Sequence, residues 1–168
     1  MNKVWIIEDD AMYAEMLKRQ IEKNNDFSAE VFNEAGKAIK ASNTSLPKAV
    51  FLDYQLPGEN GNKVLEHLQQ KDADLPVIVI SGQEDPTVAV NLIKKGAYEY
   101  LTKSPETPRT LASILAKLSK QIRMKSELEA LRSELNKRHD FAEIMGQSAA
   151  MAKQLPLLKK AAAHCSRL

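Results

Sequence analysis

Ala49-Val50-Phe51-Leu52-Asp53-Tyr54-Gln55-Leu56-Pro57-Gly58-Glu59-Asn60-Gly61 decides how the rest of the chain is read. Its first four residues are apolar throughout and read as a buried strand. The run stops on an acid, Asp53, and a segment rich in Pro, Gly and Asn then turns the chain. An acid at the carboxyl end of a buried strand is the place where open α/β sheets put their ligands.

Working outward, the same rhythm recurs on both sides. Residues 4–7 form a first buried strand and end on Glu8-Asp9-Asp10. Residues 12–23 have helical spacing, with Tyr13, Met16, Leu17 and Ile21 on one face. A short strand over 29–32 and a modest helix over 34–41 lead to the loop Ser42-Asn43-Thr44-Ser45. Beyond the quoted stretch, residues 62–70 place Val64, Leu65 and Leu68 on a helix face. Val77-Ile78-Val79-Ile80 is β-branched throughout and too short for a helix. Residues 87–95 are helical, with Pro86 in the first turn and Gly96 as the stop. Residues 98–101 make a fifth strand. Strands interleaved with helices predict a parallel α/β sheet covered on both faces. The strand ends then deliver Glu8-Asp9-Asp10, Asp53, Ser81-Gly82 and Lys103 to one pocket.

The 168 residues are 43% apolar and 27% charged, ordinary for a soluble globular protein and enough for one domain plus an appendage. The opening apolar run meets three acids after Ile7, which excludes a signal peptide or a membrane span there. A lone Cys165 excludes an internal disulfide framework, and the expected compartment is the cytoplasm. Charge is unevenly spread. Residues 1–106 hold 12 Lys and Arg against 17 Asp and Glu, whereas residues 107–168 hold 12 against 5. An acidic front module therefore gives way to a basic tail.

Carboxylates crowded at one set of strand ends repel each other unless a cation sits among them. Oxygen-only ligands suit Mg²⁺, which keeps waters and binds through one or two carboxylates plus phosphate oxygens. Lys103 offers a positive charge, and Ser81 a hydroxyl, to the oxygens of a phosphoryl group. Asp53 is the candidate nucleophile, since carboxylates form acyl phosphates.

These motifs, in this order, resemble the receiver domain of two-component response regulators. Val4-Trp5-Ile6-Ile7-Glu8-Asp9-Asp10 is similar to the family's first strand and acidic pair. Val50 to Gly61 is similar to the phosphorylation strand and its loop, Val77 to Gly82 to the hydroxyl strand, and Tyr98 to Ser104 to the lysine strand. The resemblance covers roughly the first 120 residues. It implies a doubly wound, five-stranded flavodoxin-like receiver fold, with Asp53 phosphorylated by a partner histidine kinase. It further implies that Asp9, Asp53 and the Gln55 backbone carbonyl bind Mg²⁺, with Glu8 acting mainly through metal-bound water, and that Ser81 and Lys103 bind the phosphoryl group. Tyr100 would turn inward with Ser81 as an aromatic switch. Gln55 and Gln83 occupy positions that tune dephosphorylation in the family. Two positions depart from the pattern: Glu8 stands where the family more often has Asp, and Ser104 where it usually has Pro. His67 is expected on the surface, and no metal site is expected at His139, His164 or Cys165.

From residue 107 onward the pattern changes. Leu111, Leu115, Leu118 and Ile122 fall at steps of 4, 3 and 4, and Met124, Leu128, Leu131 and Leu135 repeat those steps. No Gly or Pro lies between Arg109 and Asp140, so one long helix is expected. Its first half closes the receiver, residues 1–121. Residues 122–140 form a coiled-coil linker whose seam, Met124, Leu128, Leu131 and Leu135, pairs two copies. The alternative is a solvated helix lying back on its own domain. Phe141 to Ala162, with Ile144-Met145-Gly146-Gln147-Ser148, resembles the opening of the AAA+ ATPase domain of NtrC-type, sigma-54-dependent activators. Residues 141–168 are then the start of that domain. No Gly-x-x-x-x-Gly-Lys-Ser/Thr run occurs, so a nucleotide-cradling loop is expected only in a longer chain. There, ATP, sigma-54 RNA polymerase and DNA would be the partners, none bound by residues 1–168 themselves, and no membrane is involved.

Three rival readings follow from the same residues. A single-domain phosphorelay receiver would carry no output domain. A Mg²⁺-dependent phosphohydrolase would need a carboxylic acid two residues after the nucleophile, where this chain has Gln55. A nucleic-acid-binding tail would use the basic segment, but its Lys and Arg alternate with Leu at heptad spacing and offer no aromatic platform.

Overall fold

A computed structural model describes residues 1–138 apart from Glu84. The expectations for residues 139–168, including the ATPase-like segment, lie outside the described residues. The elements run in the order β1 (Asn2–Ile7), α1 (Ala11–Glu22), β2 (Phe27–Phe32), α2 (Ala35–Ser42), β3 (Ala49–Asp53), β4 (Gln55–Leu56) and β5 (Glu59–Asn60). They continue with α3 (Gly61–Lys71), β6 (Val77–Ser81), α4 (Pro86–Lys94), β7 (Glu99–Thr102) and α5 (Thr107–Arg138).

Five strands pair in parallel in the order β2-β1-β3-β6-β7, the doubly wound, flavodoxin-like arrangement. Strand alternation sends neighbouring side chains to opposite faces and so builds two cores. Val4, Ile6, Phe51, Ile78 and Ile80 bury against α1 and α5 through Leu17, Ile21, Leu111, Ile114, Leu115 and Leu118. Trp5, Ile7, Val50, Leu52, Val77 and Val79 bury against α2, α3 and α4 through Ala38, Leu65, Leu68 and Leu92. Both faces are covered, which is why β1, β3 and β6 read as continuous apolar runs.

The expected elements are present, with shifted ends. β2 begins at Phe27, two residues before its expected start, because it is an edge strand whose polar Ser28 needs no burial on one side. Ser42, expected in a loop, is buried in the last turn of α2, where its hydroxyl donates to the Ile39 carbonyl at 2.7 Å. That hydroxyl also meets His67 Nε2 at 3.2 Å, so His67 is half-buried between α2 and α3 and not a free surface residue. The segment after Asp53, expected as a plain turn, contains the two-residue antiparallel pair β4–β5. α4 stops where Gly96 takes a φ of 99°, a conformation open to glycine.

Met1–Ile122 form one compact unit. The helix α5 runs past that limit to Arg138, and there Met124, Leu128, Leu131 and Leu135 are all exposed.

Candidate functional site

The site forms where β1, β3, β6 and β7 end. Glu8 leaves the buried β1 and is itself 1% exposed, while Asp53 closes β3 at 4%. Glu8, Asp9 and Asp53 each present a carboxylate oxygen within 4.8 Å of the others. Asp10 leaves this group and caps α1: its Oδ1 accepts from the Met12 and Tyr13 amides at 2.8 and 3.1 Å. That cap fixes α1 against the end of β1, so the acids sit on a rigid junction.

Lys103, from just beyond β7, reaches back into the cluster. Its Nζ donates to Glu8 Oε1 and to Asp53 Oδ2, both at 2.9 Å, and lies 2.8 Å from Glu8 Oε2. The same ammonium stands 4.5 Å above the centre of the Tyr13 ring. Burial works against its charge, but the hydrogen bonds to Glu8 and Asp53 outweigh that and hold its pKa above the ordinary lysine value. Glu8 shows the strain of the cluster. Burial away from water pushes its pKa up to about 7, against the pull of Lys103 and with the Asp53 carboxyl adding to the rise.

Asp53 is further fixed by its own loop, since Oδ1 accepts from the Gln55 amide at 3.0 Å. The loop returns close against this strand end at Gly61. A Cβ at Gly61 would lie 2.9 Å from Tyr54 Cα and 3.0 Å from the carbonyl oxygens of Asp53 and Tyr54. These are backbone atoms with little room to yield, so Gly61→Ala is expected to cost about 1–3 kcal/mol of stability. Urea unfolding followed by circular dichroism would measure it, and an unchanged midpoint would show that the contact is relaxed at no cost.

Ser81 ends β6, fully buried, and its Oγ accepts from the Gln83 amide at 3.1 Å. The half-buried Tyr100 donates its hydroxyl to the Gln83 carbonyl at 2.5 Å. The two expected switch residues therefore grip the same residue from its two backbone sides. Ser104, the departure beside Lys103, uses the amide that a proline would lack: it donates to Thr107 Oγ1 at 2.9 Å, at the start of α5. Sequence reading missed the Tyr13 ring beneath Lys103 and the cap at Asp10. An Asp just before a helical run is a capping signal, but nothing in the sequence pairs residues 13 and 103.

The donor set fits a hard divalent cation. Every donor in it is a carboxylate oxygen, and the Glu8, Asp9 and Asp53 oxygens lie close enough together to share one ion.

A five-stranded parallel sheet with an acidic cluster and a lysine at its strand ends is an arrangement suited to phosphoryl chemistry. The response regulator receiver domain family matches residues 4–116, and the chain belongs to it. The C4-dicarboxylate transport transcriptional regulatory protein DctD of Pseudomonas aeruginosa is 30% identical over 152 residues, 90% of this chain and 32% of that protein. The DNA-binding transcriptional regulator NtrC of Proteus hauseri is 31% identical over 111 residues, 66% of this chain and 23% of that one. The chain thus spans a third or less of the length of these relatives. The receiver domain of the Francisella response regulator 1452 superposes with a TM-score of 0.66 at 25% identity, covering 73% of this chain and 99% of that one. The chain is a receiver of two-component signalling related to NtrC-type regulators. Among the described residues, no helix is long and apolar enough to cross a membrane.

Proposed function

We propose that Asp53 accepts a phosphoryl group from a histidine kinase and that the change it makes is passed to a transcriptional output. The observation that carries this reading is the Lys103 ammonium bridging the buried Glu8 and Asp53 carboxylates beside the exposed Asp9. An Asp53 carboxylate oxygen attacks phosphorus, the bond from phosphorus to the donor's histidine nitrogen breaks, and that nitrogen keeps the electron pair. Glu8, Asp9, Asp53 and the Gln55 carbonyl would hold Mg²⁺, which when bound neutralises charge on the transferring phosphoryl oxygens. Lys103 holds one phosphoryl oxygen, and Ser81 another once its hydroxyl leaves the Gln83 amide. Tyr100, tied to the Gln83 carbonyl, follows that movement and acts as the switch.

The test is incubation with Mg²⁺ and a small phosphodonor. The chain should gain one phosphoryl mass, and chelation of the metal should prevent it; no gain under any condition sinks the reading. Mg²⁺ alone should stabilise the fold, by about 2.7 kcal/mol at a hundred times its Kd. Asp9→Ala should remove most of that gain in thermal unfolding, whereas an equal gain in the variant would exclude Asp9 from the site.

For the output, the exposed stripe of Met124, Leu128, Leu131 and Leu135 supports pairing of two copies through residues 122–140. The domain beyond, starting near residue 141, is read as a sigma-54 activator ATPase, in keeping with the relation to NtrC-type regulators. Light scattering should find a dimer that weakens when Leu128 and Leu131 are made polar. A monomer at high concentration would overturn the seam.

A further inference from the structure

Lys103 has three partners, and two of them are consumed by the chemistry just proposed. Its carboxylate contacts, Glu8 and Asp53, are the groups that a divalent cation would neutralise and that phosphorylation would convert. The third partner is the face of the Tyr13 ring, 4.5 Å from Nζ. A ring face attracts a cation through its quadrupole, and that attraction does not depend on the charge of the acids.

Resting on the Asp53 reading, we propose that Tyr13 is a positioning residue for Lys103: its ring holds the ammonium over the pocket while Glu8 and Asp53 are engaged elsewhere. Lysine needs such a hold because its four-carbon stem is flexible, and this one keeps 23% of its side chain exposed to solvent. Tyr13 is placed to provide it. Its amide is fixed by the Asp10 cap, so the ring hangs from the junction that carries Glu8 and Asp9. The ring packs against the core formed with α1 and α5. The packing of the ring against that core holds it beneath the ammonium. Phenylalanine should therefore serve in its stead, and an aliphatic residue should not.

The test compares Tyr13→Leu and Tyr13→Phe with the parent chain. Two readouts are used: the rate of phosphoryl gain from a small phosphodonor at saturating Mg²⁺, and the proton resonance of the Lys103 ε-methylene. Loss of a partly desolvated ring–ammonium contact should slow Tyr13→Leu by roughly 5- to 20-fold. In the parent and in Tyr13→Phe the ε-methylene should be shifted upfield by the ring current, and in Tyr13→Leu it should return towards the position of a free lysine. Tyr13→Met repeats the comparison if the leucine variant does not fold. A leucine variant with the parent's rate and resonance overturns the proposal, as does a phenylalanine variant as slow as leucine. If the parent chain accepts no phosphoryl group, the Asp53 reading falls, and the resonance comparison still decides whether the ring holds the lysine.

Discussion

Asp53→Asn should abolish the gain of a phosphoryl mass while leaving the fold intact. Asparagine matches aspartate in volume and keeps a carbonyl oxygen to accept from the Gln55 amide, the bond that Asp53 Oδ1 makes at 3.0 Å. Lys103 keeps its contacts with Glu8 and Tyr13. What is lost is the anionic oxygen: an amide has no carboxylate electron pair with which to attack phosphorus. The melting temperature should stay within a few degrees of the parent, because a charged neighbour loses one of two anions at a site open on one side. Mass spectrometry after phosphodonor treatment reads the outcome. A variant that still gains the mass would place the nucleophile on Asp9 or Glu8, and the proposed role of Asp53 would be wrong.

Lys103→Met should reduce phosphoryl uptake by about 10²–10³-fold, the usual loss when a preorganised group that stabilises charge in the transition state is removed. Methionine fills most of the lysine stem's space, so packing alone does not explain such a loss. The change also leaves Glu8 and Asp53 without their shared cation. Removing that competing ammonium should leave Mg²⁺ binding as strong as in the parent, or stronger. Titration calorimetry with Mg²⁺ and the phosphorylation rate at saturating metal separate the two effects. A rate within tenfold of the parent would reduce Lys103 to a structural counterion.

Much of this was legible in the sequence because the strands are buried on both faces. Val50–Leu52 and Val77–Ile80 have nowhere to put a polar residue, so their runs announce themselves, and the acids and hydroxyl that end them mark the strand ends. The helix α5 was read through a narrow seam at Leu111, Leu115 and Leu118, and the buried Ile114 was missed. A helix on a sheet buries a wider stripe than a coiled coil does. The β4–β5 pair is two residues a side, below the length at which alternation carries a signal. Ser42 and His67 meet across two helices at a sequence distance of 25, and Tyr13 meets Lys103 across most of the unit. Such pairs arise from the packing of helix on helix and of loop on strand, which residue spacing does not encode.

The reach of Lys103 also bears on how the chain folds. Its hydrogen bonds to Glu8 and Asp53 close sequence separations of 95 and 50 residues. β7 is the last strand to enter the sheet in chain order, and it pairs only with β6. Until it docks, the acids at the ends of β1 and β3 face one another with no cation supplied by the chain. Contacts of this separation reward the fold only after a large loop-closure cost has been met. Under the proposed role of Lys103, competence to take up a phosphoryl group therefore requires β7 to be docked. A chain whose β7 has not docked would lack the lysine at the site, however native its first three strands.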